Sequence, residues 1–211
     1  GMKGANVATN VYHALGSYKR FPSLVSYSNN NIGKNAKGAG SFRDNANNIF
    51  NFVATKTDIY QLASGTFTSR KSGLTGGEDD FFTFTQFGNY VIASNGVDQP
   101  QYYLMGTSTN FANLNAIQSA GTTPLFRVSG VVRDFLVSGN ISTATNRIHW
   151  SGINDISAWS GKQSDFQDLP GSGGKIVHVT SGEVGYVFRQ NQIIRMDYVG
   201  GAVVFRLSVI S

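Results

Sequence analysis

Residues Phe81–Leu114, FFTFTQFGNYVIASNGVDQPQYYLMGTSTNFANL, read as four short strands in succession. FFTFTQF, YVIASN, PQYYLMG and NFANL are rich in aromatic and β-branched residues, and Gly, Asn, Asp and Pro fall between them where the chain must turn. The same arrangement recurs on both sides. Upstream, from Gly40 to Lys71, it is GSFRD, IFNFVAT, DIYQLAS and TFTSRK. Downstream, LFRVSGVV, DFLVSGN, RIHWSG and SAWSG run from Leu125 to Gly161, and KIVHVTS, VGYVFRQ, QIIRMDY and VVFRLSV from Lys175 to Val209. The aromatic in each second strand marks the period: Phe50, Tyr90, Phe135 and Tyr186 stand 40, 45 and 51 residues apart. Four strands per unit at this spacing define an all-β, β-propeller-like chain, one four-stranded blade per unit.

The expected organisation is an N-terminal segment over residues 1–36 and blades over about 37–73, 76–116, 124–170 and 173–211. The N-terminal segment holds one strand candidate, Leu24–Tyr27. GKNAKGAG (Gly33–Gly40), SGLTGG (Ser72–Gly77) and QSAGTTP (Gln118–Pro124) read as separators, and Asn154–Gly174 as the longest irregular piece. Asn110–Ala116 reads as a fourth strand or short turn with a little helical character. The sequence ends in a strand pattern, and open strand edges invite pairing. Four units plus a leftover strand are therefore expected to be a fragment of a larger ring.

Composition narrows the function classes. Hydrophobic content of 40% with 14% charged residues excludes intrinsic disorder. No apolar run approaches the length of a membrane-spanning helix. The absence of Cys removes disulfides and thiolate metal sites and leans towards a reducing compartment. Seventeen Lys and Arg against twelve Asp and Glu give +5, a mild bias towards polyanions.

Signatures of catalysis fail in turn. No G-x-S-x-G elbow is present, and His13, His149 and His178 form no metal-binding pair. LPGSGGKI (Leu169–Ile176) imitates a phosphate loop but has Leu169 where the first Gly belongs and Ile176 where Ser or Thr belongs, so it reads as a flexible loop. Glu78-Asp79-Asp80 lacks the alternating ligands of a calcium loop and reads as a solvated turn. Strand alternation turns Asp165 and Asp168 to opposite faces, where they cannot flank one glycosidic bond. The expectation is a non-enzyme that needs no cofactor and no metal.

Several stretches carry a resemblance. IHWSGIND (Ile148–Asp155) with Trp159, then QSDFQDLP (Gln163–Pro170) and GYVFRQNQIIRMDYVG (Gly185–Gly200), resemble the packaged-DNA-stabilisation and tail-hub, nozzle-type proteins of tailed bacteriophages. FTQFGNYVIASNG (Phe84–Gly96) and RDFLVSGN (Arg133–Asn140) are similar to blades of that family. The resemblance implies a virion structural protein at the head–tail junction or in the tail, assembled in the host cytoplasm. It also implies portal and tail proteins as partners, a homo-oligomeric state, no membrane, and non-specific contact with viral double-stranded DNA.

For DNA contact the candidates are the strand cations Arg43, Arg127, Arg133, Lys175 and Arg189, which would meet a phosphate backbone without reading sequence. Asp44 and Asp134 beside Arg43 and Arg133 would blunt that field. Trp150, Trp159 and Phe166 are the candidates for blade packing or an interface, with Asn154, Asp155 and Ser157 capping the turn between the two tryptophans. The alternative is a carbohydrate-binding propeller or adhesin used in host attachment, with Tyr102, Tyr103 and Trp159 as stacking platforms.

Overall fold

The computed structural model describes residues 11–20, 26–28 and 30–210. A hairpin of β1 (Val11–Ala14) and β2 (Ser17–Arg20) pairs, among the described residues, only with itself. Four antiparallel four-stranded meanders follow. Blade 1 is β3 (Ala36–Arg43), β4 (Ile49–Thr55), β5 (Ile59–Ala63) and β6 (Thr66–Lys71). Blade 2 is β7 (Thr83–Phe87), β8 (Tyr90–Ser94), β9 (Gln101–Leu104) and β10 (Ala112–Asn113), which runs into a 3₁₀ turn at Leu114–Ile117. Blade 3 is β11 (Phe126–Val132), β12 (Phe135–Ile141), β13 (Ala144–Trp150) and β14 (Asp165–Asp168). Blade 4 is β15 (Ile176–Val179), β16 (Val184–Arg189), β17 (Gln192–Tyr198) and β18 (Phe205–Val209).

Inner strands β3, β7, β11 and β15 run in the same direction and are stitched side by side. Phe82 N–H donates to Lys37 O, and Thr85 Oγ1 lies 2.8 Å from Ser129 Oγ and 3.0 Å from Ser129 O. Gly182 N–H donates to Val131 O, and Arg133 N–H to Gly182 O. This close approach dictates glycine. A Cβ at Gly130 would lie 2.8 Å from the carbonyl oxygens of both Val179 and Thr180, and one at Gly38 would run into the Phe82 carbonyl. Gly38 and Gly40 therefore belong to β3, and the expected separator Gly33–Gly40 is in large part strand.

Three hydrophobic cores join the four blades. Phe52, Ile59, Phe82, Val91, Tyr103 and Phe111 fill the first, between blades 1 and 2. Ile92, Leu114, Phe126, Leu136 and Trp159 fill the second, and Val132, Phe135, Trp150, Val187, Met196 and Phe205 the third. Among the described residues no core joins blade 4 to blade 1, so the blades form an open arc.

Three further expectations change. SAWSG is a bend that inserts Trp159 into the second core, and the polar DFQD forms the fourth strand of blade 3 along the solvent edge. In the N-terminal segment the strand pair lies at residues 11–20. Leu24 and Val25 fall outside the described residues, and Ser26 and Tyr27 are not in a strand. LPGSGGKI is anchored: the Arg189 guanidinium donates to the carbonyls of Pro170 (2.7 Å), Gly171 (3.2 Å) and Gly174 (2.9 Å).

Candidate interaction surfaces

The direction of the strands decides where the five candidate cations lie. Arg43 and Arg133 sit at the ends of β3 and β11, on one axial end of the arc. Arg127, Lys175 and Arg189 sit at the other, at the beginnings of the inner strands and the end of β16. They form no single ring of charge. Arg133 pairs with Glu183 at 3.2 Å and stacks over Tyr198 at 5.0 Å, and Arg127 pairs with Asp80. Arg189 is 5% exposed and spends its donors on the loop carbonyls and on Gln192 Oε1, so its charge faces the interior of blade 4. Arg43 and Lys175 are exposed.

The motif residues have architectural work. Trp150, 4% exposed, fills the third core and donates from Nε1 to Gln163 O at 2.8 Å. Trp159, 3% exposed, packs 6.1 Å from Phe126 and edge-on to His149 at 5.2 Å. Between them Asp155 Oδ1 accepts from Ser157 N–H (2.9 Å) and Ser157 Oγ (2.6 Å), capping the turn, while Asn154 takes a left-handed conformation (φ 51°). Phe166 is different. It is 47% exposed on β14, beneath the Arg147 guanidinium at 4.0 Å, so it contributes to neither adjoining core. Arg147 also grips Asp168 through Nε and Nη2 at 2.6 and 2.8 Å.

Ionisable groups follow these contacts. The hydrogen bond from Arg147 holds the Asp168 carboxyl below its ordinary value. The Gly77 N–H and then Arg127 do the same for Asp80, and Lys56 and Lys37 for Glu78. For Asp155, burial opposes the shift, but bonds from Lys162 and Ser157 prevail and lower it. Burial pushes His149 down, against a weaker upward pull from its bond with Trp159 O. Among the described residues, no group of three or more His, Asp or Glu is placed to hold a metal ion.

Among the described residues two blade faces lack a neighbouring blade, and they are the surfaces that sequence reasoning could not resolve. On blade 4, Val184, Tyr186 and Phe188 alternate away from the third core and pair across the sheet with Asp197, Arg195 and Ile193. Tyr186 holds the repeat position of Phe50, Tyr90 and Phe135, each of which packs into an inter-blade core. On blade 1, Val53, Tyr60 and Leu62 face away from blade 2. The expected glycan platforms are largely interior: Tyr103 is 4% exposed and Tyr102 packs 6.1 Å from Tyr90.

The class follows from this architecture: an all-β protein of the β-propeller type. Comparison with solved structures agrees. The chain superposes on a catalytically inactive virginiamycin B lyase from Staphylococcus aureus, solved with quinupristin, with a TM-score of 0.53 at 10% identity, covering 85% of this chain and 56% of that one. It also superposes on a chain of the mitotic checkpoint complex with a TM-score of 0.52 at 13% identity, covering 92% and 60%. Both are propeller proteins, and the chain spans little more than half the length of each. No protein-family profile and no curated protein matches. No helix among the described residues is long and apolar enough to cross a membrane.

Proposed function

We propose that this chain is a non-catalytic structural component of a tailed-phage virion, at the head–tail junction or in the tail. Its blades would form part of the channel wall and hold packaged DNA. One observation carries the reading: the residues of the phage-like motif serve the joints of the scaffold. Trp150 and Trp159 fill inter-blade cores, Asp155 caps the turn between them, and Asp168 braces β13 against β14. An arc with an uncovered face at each end is a part suited to assembly with further blades, further copies, or portal and tail proteins. DNA contact in this reading is made by the whole assembly, through phosphates and without sequence preference.

Light scattering after size exclusion, beside duplex binding at graded salt, tests the proposal. A defined assembly whose DNA affinity falls with rising salt supports it. A chain that stays monomeric and ignores duplex DNA at low salt overturns it.

A further inference from the structure

We propose that the outer-rim groove between blades 1 and 2 binds a tetrahedral oxyanion, a phosphate or sulfate group. The feature that builds it is a β-bulge in β6. Ile59 pairs with Lys71 and Tyr60 with Ser69, leaving Arg70 as an extra residue. An unbroken strand would send Arg70 and Lys71 to opposite faces; a bulge breaks the alternation and re-aims side chains. Both cations consequently serve the blade 2 side. Lys71 Nζ reaches across to Asn113 Oδ1 of β10 at 3.2 Å, and Arg70 Nε donates to the buried Gln61 Oε1 at 2.9 Å. The adjacent groove has a volume of about 410 Å³ and is lined by these two residues, the polar Ser69, Ser72 and Asn110, and Phe111. Phe111 is fixed there by its N–H, which donates to Arg70 O at 2.8 Å.

Charge balance distinguishes this groove from a second basic cleft. Lys34, Lys37 and Lys56 line a cleft of about 550 Å³, but each of them is paired with Asp58 or Glu78. Arg70 and Lys71 are both half-buried, and among the described residues their side chains donate hydrogen bonds only to neutral amide oxygens. Among the described residues, no carboxylate lies within ion-pairing distance of either. Half-buried cations without a counter-charge lose hydration and are not repaid for it. A guanidinium fork, an ammonium and hydroxyl donors around one polar groove supply the hydrogen bonds that a phosphate or sulfate group accepts. The site stands apart from the five strand cations considered above and does not depend on the virion reading.

Calorimetric titration of the whole chain with inorganic phosphate and with inorganic sulfate tests the site. The Arg70→Gln/Lys71→Gln variant is measured in parallel, and Lys19→Gln/Arg206→Gln, at two exposed cations outside the groove, serves as a control for equal loss of net charge. Saturable binding of either anion that weakens at least about tenfold in the first variant, the loss of one charge-assisted bond, and persists in the control supports the groove. Absence of saturable binding, or equal loss in both variants, overturns it. Thermal melts establish that each variant folds. A third arm with duplex DNA identifies the source: affinity lost with the groove variant places the group on a phosphodiester backbone, and unchanged DNA affinity beside lost anion binding places it on a non-nucleic anion. Both results support an oxyanion site.

Discussion

Trp159 and Phe166 belong to the same motif stretch, yet one is sealed in a core and the other lies on the solvent edge. Truncating each separates their roles: Trp159→Ala is expected to cost about 3–5 kcal/mol, and Phe166→Ala about 1 kcal/mol or less, the value of its exposed contact with Arg147. Chemical denaturation of the two variants measures this directly. The packing role of Trp150 and Trp159 was legible from aromatics flanking a turn with capping residues. The exposure of Phe166 was not, because alternation gives relative faces within β14 and cannot say which strand lies at the rim. His149 supplies a pH signature. Burial lowers its folded-state value below the ordinary 6.5, so below that pH the unfolded chain takes up a proton that the folded chain resists. Stability is therefore expected to fall as pH drops from 6.5 towards the folded value, before the carboxylates that the fold holds low begin to protonate. In His149→Gln the melting temperature should lose that slope; an unchanged slope would assign it to other groups.

Glycine carries the element-scale lesson. Periodic strand patterns made the strand content of the blades readable, but Gly38 looked like linker because the reason for it, the Phe82 carbonyl, lies in the neighbouring blade. The same logic applies to Gly130, whose added Cβ would press on two carbonyls of blade 4. Gly130→Ala is expected to cost about 1–3 kcal/mol, measurable by thermal unfolding, whereas Gly73→Ala, with open space around it, should show only the smaller strain of its left-handed conformation. Arg189 was misleading in the opposite sense: a strand cation suggests a surface, and this one braces a loop. Arg189→Gln should destabilise the chain by about 1.5–3 kcal/mol and speed amide exchange in the loop that it anchors. The fourth strand of blade 3 was misplaced for a related reason. SAWSG is the more apolar stretch and looks like a strand, but its tryptophan is delivered to a core by a bend, leaving the polar DFQD to pair with β13.

At the scale of the molecule, three cores for four blades make, among the described residues, an arc with two faces that no blade covers, and the repeat says what such a face is for. Phe50, Tyr90 and Phe135 are each packed into an inter-blade core, and Tyr186 presents the equivalent side chain with no blade beside it. Repeat spacing made the blade count legible in the sequence. Closure was not legible, since it depends on the angle between blades and on which core is missing. The most direct measurement is the solution mass of the chain beside that of a Tyr186→Glu/Phe188→Glu variant, by light scattering after size exclusion. A defined oligomer is expected for the unaltered chain and a 22.7 kDa monomer for the variant. A monomer of that mass for both, equally stable, would contradict that expectation and mean that the blade 4 face needs no partner.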